Sequence, residues 1–206
     1  MKHWKAFLAG AICILSFCGC SSLNSYLEIA QEKGMSREYQ AIFQKWTRSQ
    51  IIYSQFETKV RIEATYQSPE FKKAYFDENA RISQFRPEER KVREEIRASM
   101  ASDQTEFVFY AYTPDKRSND FDRQGSIWSV FLVTGSGEKI YPVEIRKMDP
   151  VTPVHTGFFP YITPSYGFAY WLRFRPIDAA GLAPGSVKLV FTSVIGKVEL
   201  DFGNPG

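Results

Sequence analysis

The sequence predicts a mainly β protein with helices, an α+β fold built around a seven-strand immunoglobulin-like sandwich. Residues 105–206 hold a series of short segments rich in Val, Ile, Phe and Tyr, with turn residues at 135–137 and 195–196. Residues 51–67 alternate between apolar and polar side chains, which adds a further strand. The charged stretch 69–102 has helical spacing instead, so we expect a helical hairpin inserted after the first strand.

Residues 26–48 are predicted to be helical and to precede the sandwich. A short helix over 26–33 would end at Gly34, and a second would begin at Ser36, a favourable capping residue. Apolar residues then recur at spacings of three and four, at Met35, Tyr39, Ile42, Phe43 and Trp46. This spacing predicts a helix face that packs against the core.

The segment 51–67 predicts one long strand with a buried and a wet face. Its even positions from Ile52 to Tyr66 are mostly apolar, and its odd positions are mostly charged or amide residues. Phe56, Val60 and Ala64 also fit a helical spacing of four. The density of Ile, Val and Thr favours the strand.

Two helices are expected in the insertion 69–102. Ser68-Pro69-Glu70 has the N-cap, N1 proline and early acid of a helix start, and this helix would run to about residue 82. Its partner over 87–100 has a narrow apolar stripe and a favourable pair of Glu89 and Arg93. Its charge run indicates a solvated face. The remaining predicted strands are 105–113, 127–134, 138–147, 166–175, 186–194 and 197–203.

The first twenty residues have the layout of an export signal. Lys2 and Lys5 form a positive start, residues 6–16 are apolar but too few to cross a bilayer, and Phe-Cys-Gly-Cys follows at 17–20. The stretch resembles the lipobox of bacterial lipoproteins, in which Gly19 and Cys20 match the pattern. Phe17 stands where Leu is usual, and Cys18 where Ala, Ser or Thr is commoner. Cys18 is disfavoured as the acceptor because Phe17 would then occupy a small-residue position.

This resemblance implies removal of residues 1–19 and a fatty-acyl (palmitate-type) anchor on Cys20. Residues 20–25 would form a short tether, and since no linker divides the remaining chain, we expect one globular domain over 26–206. A residue other than Asp after the cysteine, here Ser21, implies transfer to the outer membrane of a cell with two membranes. In a cell with one membrane it implies the outer face of that membrane. The resemblance therefore implies that the membrane is a partner, reached through the lipid.

Charge and cysteine content narrow the function classes. The chain has 26 basic and 23 acidic residues, a formal net charge of +3 that falls to +1 when Lys2 and Lys5 are removed. This balance does not favour nucleic-acid binding. Cys13 and Cys18 would leave with the signal and Cys20 would carry lipid, so we expect no disulfide. No cofactor motif is recognised.

Catalytic and metal motifs are weak. After signal removal His155 is the one histidine left, and no nucleophile elbow or zinc motif accompanies it. Asp120, Asp122 and Gly125 match part of a calcium loop, but Gln124 and Phe131 stand at two ligand positions. We therefore expect a polar turn there, with a weak cation site as the alternative, and a surface or loop-packing role for His155.

The strongest candidate surface is aromatic. Residues 158–174 contain eight aromatic side chains in seventeen residues. Strand alternation places Tyr166, Phe168, Tyr170, Leu172 and Phe174 on one face and Trp171, Arg173 and Arg175 on the other. The candidate binding residues are Trp171, Arg173, Arg175, Phe159 and Tyr161. The alternative is that the second sheet and the helices cover both faces.

These observations favour an exported, non-catalytic envelope lipoprotein that binds a protein or a glycan. The alternative is an exported hydrolase that acts on envelope glycan through a carboxylate pair. Such a pair needs closeness in space and has no sequence spacing.

Overall fold

The computed structural model describes residues 34–99, 104–177 and 187–203. Cys20, the export signal, the tether and the predicted helix over 26–33 lie outside these ranges. The described chain is a mixed α+β fold, as predicted, with four α-helices and two antiparallel sheets. The helices are Arg37–Trp46 (α1), Pro69–Ile82 (α2), Pro87–Ser99 (α3) and Pro153–Phe158 (α4).

Nine strands occur in the described residues, against seven predicted. They are Thr47–Ser54 (β1), Glu57–Tyr66 (β2), Thr105–Tyr112 (β3), Ser129–Thr134 (β4), Lys139–Ile140 (β5), Glu144–Lys147 (β6), Phe168–Phe174 (β7), Val187–Thr192 (β8) and Lys197–Asp201 (β9). The first sheet has the order β1-β2-β3-β7-β6, and the second has the order β5-β4-β8-β9.

The two sheets enclose the main hydrophobic core. Alternate residues of β2, β3 and β7 point inward from the first sheet and meet inward residues of β4, β8 and β9. Phe109 illustrates the packing, because its ring lies 4.8 Å from that of Tyr170 in the same sheet and 5.1 Å from that of Phe191 in the second. The inner face of the first sheet therefore provides a closed, apolar sandwich core.

A second apolar cluster covers the outer face of the first sheet. Tyr39 and Phe43 of α1, Phe71 of α2 and Phe158 of α4 are among its buried members. Buried tyrosine hydroxyls find backbone acceptors here, since Tyr39 Oη donates to the carbonyl of Phe158 at 2.8 Å. The molecule thus has three layers, with the first sheet in the middle.

The start of the described chain is fastened to α2. Ser36 caps α1, as predicted, by accepting a hydrogen bond from the Tyr39 amide. Glu78 accepts from the Ser36 amide at 2.8 Å and from its hydroxyl at 2.7 Å. Arg81 donates to Glu78 at 2.7 Å and to the Gly34 carbonyl at 2.6 Å.

The prediction of one strand over 51–67 is wrong. The chain reverses at Gln55 and Phe56, and β1 pairs antiparallel with β2. Both turn residues have positive φ, 50° and 67°, in a two-residue hairpin where Asn and Gly are the usual choices. The α1 helix also ends at Trp46, before the predicted limit of 48, because the chain passes directly into β1.

The predicted strand over 138–147 is also wrong as a single element. Residues Lys139–Ile140 pair with β4 in the second sheet, whereas Glu144–Lys147 pair with β7 in the first. Pro142 lies between them and lacks the amide hydrogen that a continuous ladder would use. This segment therefore crosses from one sheet to the other.

The helical insertion is present between β2 and β3, and its start is as predicted. Ser68 caps α2 by accepting from the Phe71 amide at 3.0 Å, and Pro69 occupies the first turn. The second helix, α3, ends at Ser99. No helix among the described residues has the length and apolar character needed to cross a bilayer.

Candidate functional site

The β7 strand places Trp171 on the outer face of the first sheet. Its neighbours Tyr170 and Leu172 are fully buried in the sandwich core, as strand alternation predicts. Trp171 itself is partly buried against the helix-covered cluster. In the register of the sheet it lies beside Val108 on one side and Arg146 on the other.

Two cavities meet at Trp171, and we call them together the Trp171 site. The larger, of about 470 Å³, is lined by Gln67, Lys72, Tyr75, Phe76, Asn79, Phe85, Arg93, Ile96, Arg97, Phe159 and Trp171. The smaller, of about 200 Å³, is lined by Glu106, Arg146, Trp171, Leu172 and Arg173. The larger cavity lies between the α2–α3 hairpin and the first sheet, and the smaller lies along the sheet surface.

Charged side chains of alternating sign surround the smaller cavity. Lys72 Nζ lies 2.7 Å from Glu106 Oε2, and Arg173 forms an ion pair with Glu144. Arg146 approaches the same Glu144 carboxylate at 3.6 Å. The carboxylates of Glu106 and Glu144 therefore both have basic partners, and the site presents neutral ion pairs next to Trp171.

The α3 helix covers the larger cavity, but it is not held there by buried apolar side chains, since none of its residues is buried. It is held by the Arg93 guanidinium, 4.5 Å from the centroid of the Phe85 ring, and by the Arg97 guanidinium, 5.4 Å from that of Phe76. Arg93 also pairs with Glu89 at 2.9 Å, as the sequence spacing predicts. The cation–ring contacts, together with the ion pair of Arg90 with Asp77 of α2 at 2.6 Å, therefore hold α3 over the cavity.

The five predicted binding residues do not form one exposed surface. Trp171 and Arg173 line the cavities. Arg175 is exposed beyond the end of β7 and lines neither. The prediction that Phe159 and Tyr161 lie on an exposed binding surface is wrong, because these side chains are only 2% and 3% exposed. Phe159 forms part of the larger cavity wall, whereas the Tyr161 hydroxyl donates to the Val108 carbonyl at 3.0 Å.

Tyr166 also differs from its prediction. It precedes β7 and is 66% exposed, so it does not share the buried face of Tyr170 and Phe174.

Sequence reasoning also missed the residues that α2 and α3 contribute to the site. The charge run of α3 indicates a solvated helix face, and only the aromatic residues that precede it, Tyr75 and Phe76 of α2 and Phe85 of the turn, hint at a covered side.

The other candidate residues have local partners. His155 Nδ1 accepts from the Thr152 amide at 3.1 Å in a capping box at the start of α4, and burial lowers the pKa of this imidazole. Asp120 Oδ1 accepts from the Ser126 hydroxyl at 2.9 Å within a turn that also contains Asp122. Among the described residues, no three His, Cys, Asp or Glu side chains are grouped as a metal site.

One buried acid stands apart from these cavities. The Glu63 side chain is 2% exposed, Arg61 Nη2 lies 2.9 Å from its Oε1, and its Oε2 has no hydrogen-bond partner among the described residues. Burial raises the pKa of Glu63 to about 7, although the nearby Arg61 acts in the opposite direction. Glu63 is not among the residues that line either cavity.

The Trp171 site offers a ligand aromatic faces and cationic groups. Glu106 is the one acid among the residues that line its two cavities, and Lys72 neutralises it. Such a lining suits recognition of a ligand by contact with aromatic rings and by charge.

No protein-family model matches the chain, and no curated protein or solved structure shows significant similarity to it.

Proposed function

We propose that this protein is an exported, lipid-anchored envelope lipoprotein that binds an envelope component, a protein or a glycan, at the Trp171 site without catalysing a reaction. One observation carries this proposal. Trp171 is partly exposed on a strand whose neighbouring residues are fully buried, and it forms a wall common to two cavities. Concave sites with aromatic walls and a few polar groups are the usual form of a ligand site.

We further propose that the sandwich is immunoglobulin-like. The order β2-β3-β7-β6 corresponds to strands A, B, E and D, and the order β5-β4-β8-β9 corresponds to C′, C, F and G. In this scheme β1 is an additional edge strand and the α2–α3 hairpin is inserted between strands A and B. Trp171 then lies on strand E, on the side turned away from the second sheet.

The lipid anchor is proposed from residues 1–20 and is tested by substitution. Cys20→Ala should abolish incorporation of a fatty-acid probe and release the protein from membranes, because the attached chains are the anchor in this proposal. Cys18→Ala is the matched control and should be labelled like the wild type. The assignment of Cys20 as the lipidated residue would be overturned if the Cys20→Ala variant were labelled. It would also be overturned if the Cys18→Ala variant lost the label.

The binding role is tested by chemical crosslinking in intact envelopes. The full-length protein, its Trp171→Ala variant and a Tyr166→Ala control are crosslinked and isolated, and the attached species are identified by mass spectrometry. Tyr166 is a suitable control because it is an exposed aromatic residue that lines neither cavity. A species retained by the wild type and the control but lost from Trp171→Ala supports the proposal. The same species on all three proteins would contradict it.

A further inference from the structure

We propose that the larger cavity of the Trp171 site binds an anionic amphiphile, a molecule with an apolar body and one phosphate or carboxylate group. This inference rests on the proposed function, since it names the ligand class of the same site. Two features of the cavity carry it: the rings of its walls and the sign of its charges.

The walls fit an apolar body. Six apolar or aromatic side chains line the cavity, and they come from both helices of the hairpin, the turn between them, the 158–162 segment and β7: Tyr75, Phe76, Phe85, Ile96, Phe159 and Trp171. A volume of about 470 Å³ falls within the range of roughly 300 to 1,000 Å³ that is usual for small-molecule sites. An acyl chain or a ring system would remove these surfaces from water.

The charges fit an anion. Lys72, Arg93 and Arg97 line the cavity, and no acid is among its lining residues. Lys72 and Arg93 have carboxylate partners at 2.7 and 2.9 Å, but Arg97 lies 3.8 Å from Glu94. Arg97 is therefore the least engaged of the three cations.

Arg97 is the residue that we expect to contact the anionic group. Its side chain is one of those that line the cavity, and it is 39% exposed. A guanidinium at a cavity wall forms charge-assisted hydrogen bonds with a phosphate or carboxylate oxygen. Arg93 is four residues earlier, one turn away on the same side of α3. In this proposal the anionic group lies beside Arg93 and Arg97 of α3, and the apolar body lies toward Phe159 and Trp171.

The test measures binding of defined amphiphiles to the full-length protein held in solution by a zwitterionic polymer. Dodecyl phosphate and dodecyltrimethylammonium share one chain and differ in charge, and inorganic phosphate supplies the anion without the chain. Each is titrated, below micelle-forming concentrations, into the wild type, Arg97→Gln and Lys91→Gln. Lys91 is an exposed cation on the same helix that lines neither cavity, so its variant is the matched control.

We expect saturable binding of dodecyl phosphate that weakens at least about tenfold in Arg97→Gln, because a charge-assisted hydrogen bond is lost, and changes less than about twofold in Lys91→Gln. The cationic amphiphile and inorganic phosphate should not saturate. Equal binding of both amphiphiles, equal affinity of wild type and Arg97→Gln, binding of inorganic phosphate alone, or no binding at all would each overturn the inference. If it fails while Trp171-dependent crosslinking persists, the proposed function stands with another ligand class.

Discussion

The two faces of the first sheet differ in composition and in what covers them. The inner face is apolar along β2, β3 and β7 and is closed by the second sheet. The outer face mixes apolar residues with the charged side chains of Glu63, Glu106 and Arg173, and helices cover it incompletely. Both cavities of the Trp171 site open on this outer side.

If the proposed function is correct, this difference divides stability and recognition between the two faces of one strand. Inward residues of β7 meet the second sheet, where packing is continuous and a change of volume is costly. Outward residues meet helices that leave space between them, so their side chains remain available to a ligand. Leu172 and Trp171 are adjacent in sequence, and they represent the two roles.

The largest effect is expected on the inner face. Leu172→Ala should lower the free energy of unfolding by about 3 to 5 kcal/mol, because this fully buried side chain would leave a cavity in the sandwich core. Urea denaturation measures this loss, and Arg175→Ala, at an exposed position just beyond the same strand, is the control. A loss below about 1 kcal/mol would show that the inner face is not closely packed.

The next effect concerns the buried acid of the outer face. Because the folded protein holds the Glu63 proton up to a pKa of about 7, above the value of an unfolded chain, it binds this proton more tightly than the unfolded state does. Glu63 therefore makes its full contribution to the free energy of unfolding below about pH 4.3, and this contribution is lost as the pH rises through 7.

Glu63→Gln should remove this dependence. Between about pH 4.5 and pH 8 the wild type should lose up to about 3 kcal/mol more stability than the variant, which keeps the side-chain shape but does not titrate. Chemical denaturation of both proteins across this range measures the difference. Parallel pH profiles would contradict a buried, titrating Glu63.

A smaller effect is expected at Trp171. Because this side chain is only partly buried, Trp171→Ala should cost about 1 to 2 kcal/mol, well below the cost of Leu172→Ala beside it. The comparison of the two variants by urea denaturation tests the contrast between the faces directly. A loss of about 3 to 5 kcal/mol would place Trp171 in the core and remove it as a ligand contact.

The smallest effect is expected on α3. Ile96 is 50% exposed on a helix without a buried residue, so Ile96→Ala should change stability by no more than about 0.5 kcal/mol. Thermal or urea unfolding measures it. A loss above about 2 kcal/mol would show that α3 contributes to the packed core.

The local parts of this fold were predictable because their signals are local. Ser36 and Ser68 are helix caps whose partners lie three residues away, and the alternation of β7 separates Leu172 from Trp171. The hairpin at Gln55 and Phe56 was not predictable from turn chemistry, since neither residue type favours positive φ. Pro142 did carry a signal for a break, which the apolar pattern around it obscured.

The Trp171 site could be predicted only in part. Trp171 and Arg173 are identified by alternation along one strand, which is a property of neighbouring residues. The cavity itself depends on how α2 and α3, near residues 72 to 97, lie over a strand near residue 171. No spacing in the sequence encodes that placement. The burial of Phe159 and Tyr161 depends on the same helices and was missed for the same reason.

The attachment of Gly34 and Ser36 to α2 has a mechanical consequence. Tension on the chain before Gly34 is transmitted through the hydrogen bonds of Arg81 and Glu78 into the C-terminal part of α2. This helix of 14 residues is a rod of about 21 Å, and its side chains Lys72, Tyr75, Phe76 and Asn79 form one wall of the larger cavity. In the proposed lipid-anchored, ligand-bound protein, the load from the N-terminus and the ligand would therefore act on the same helix.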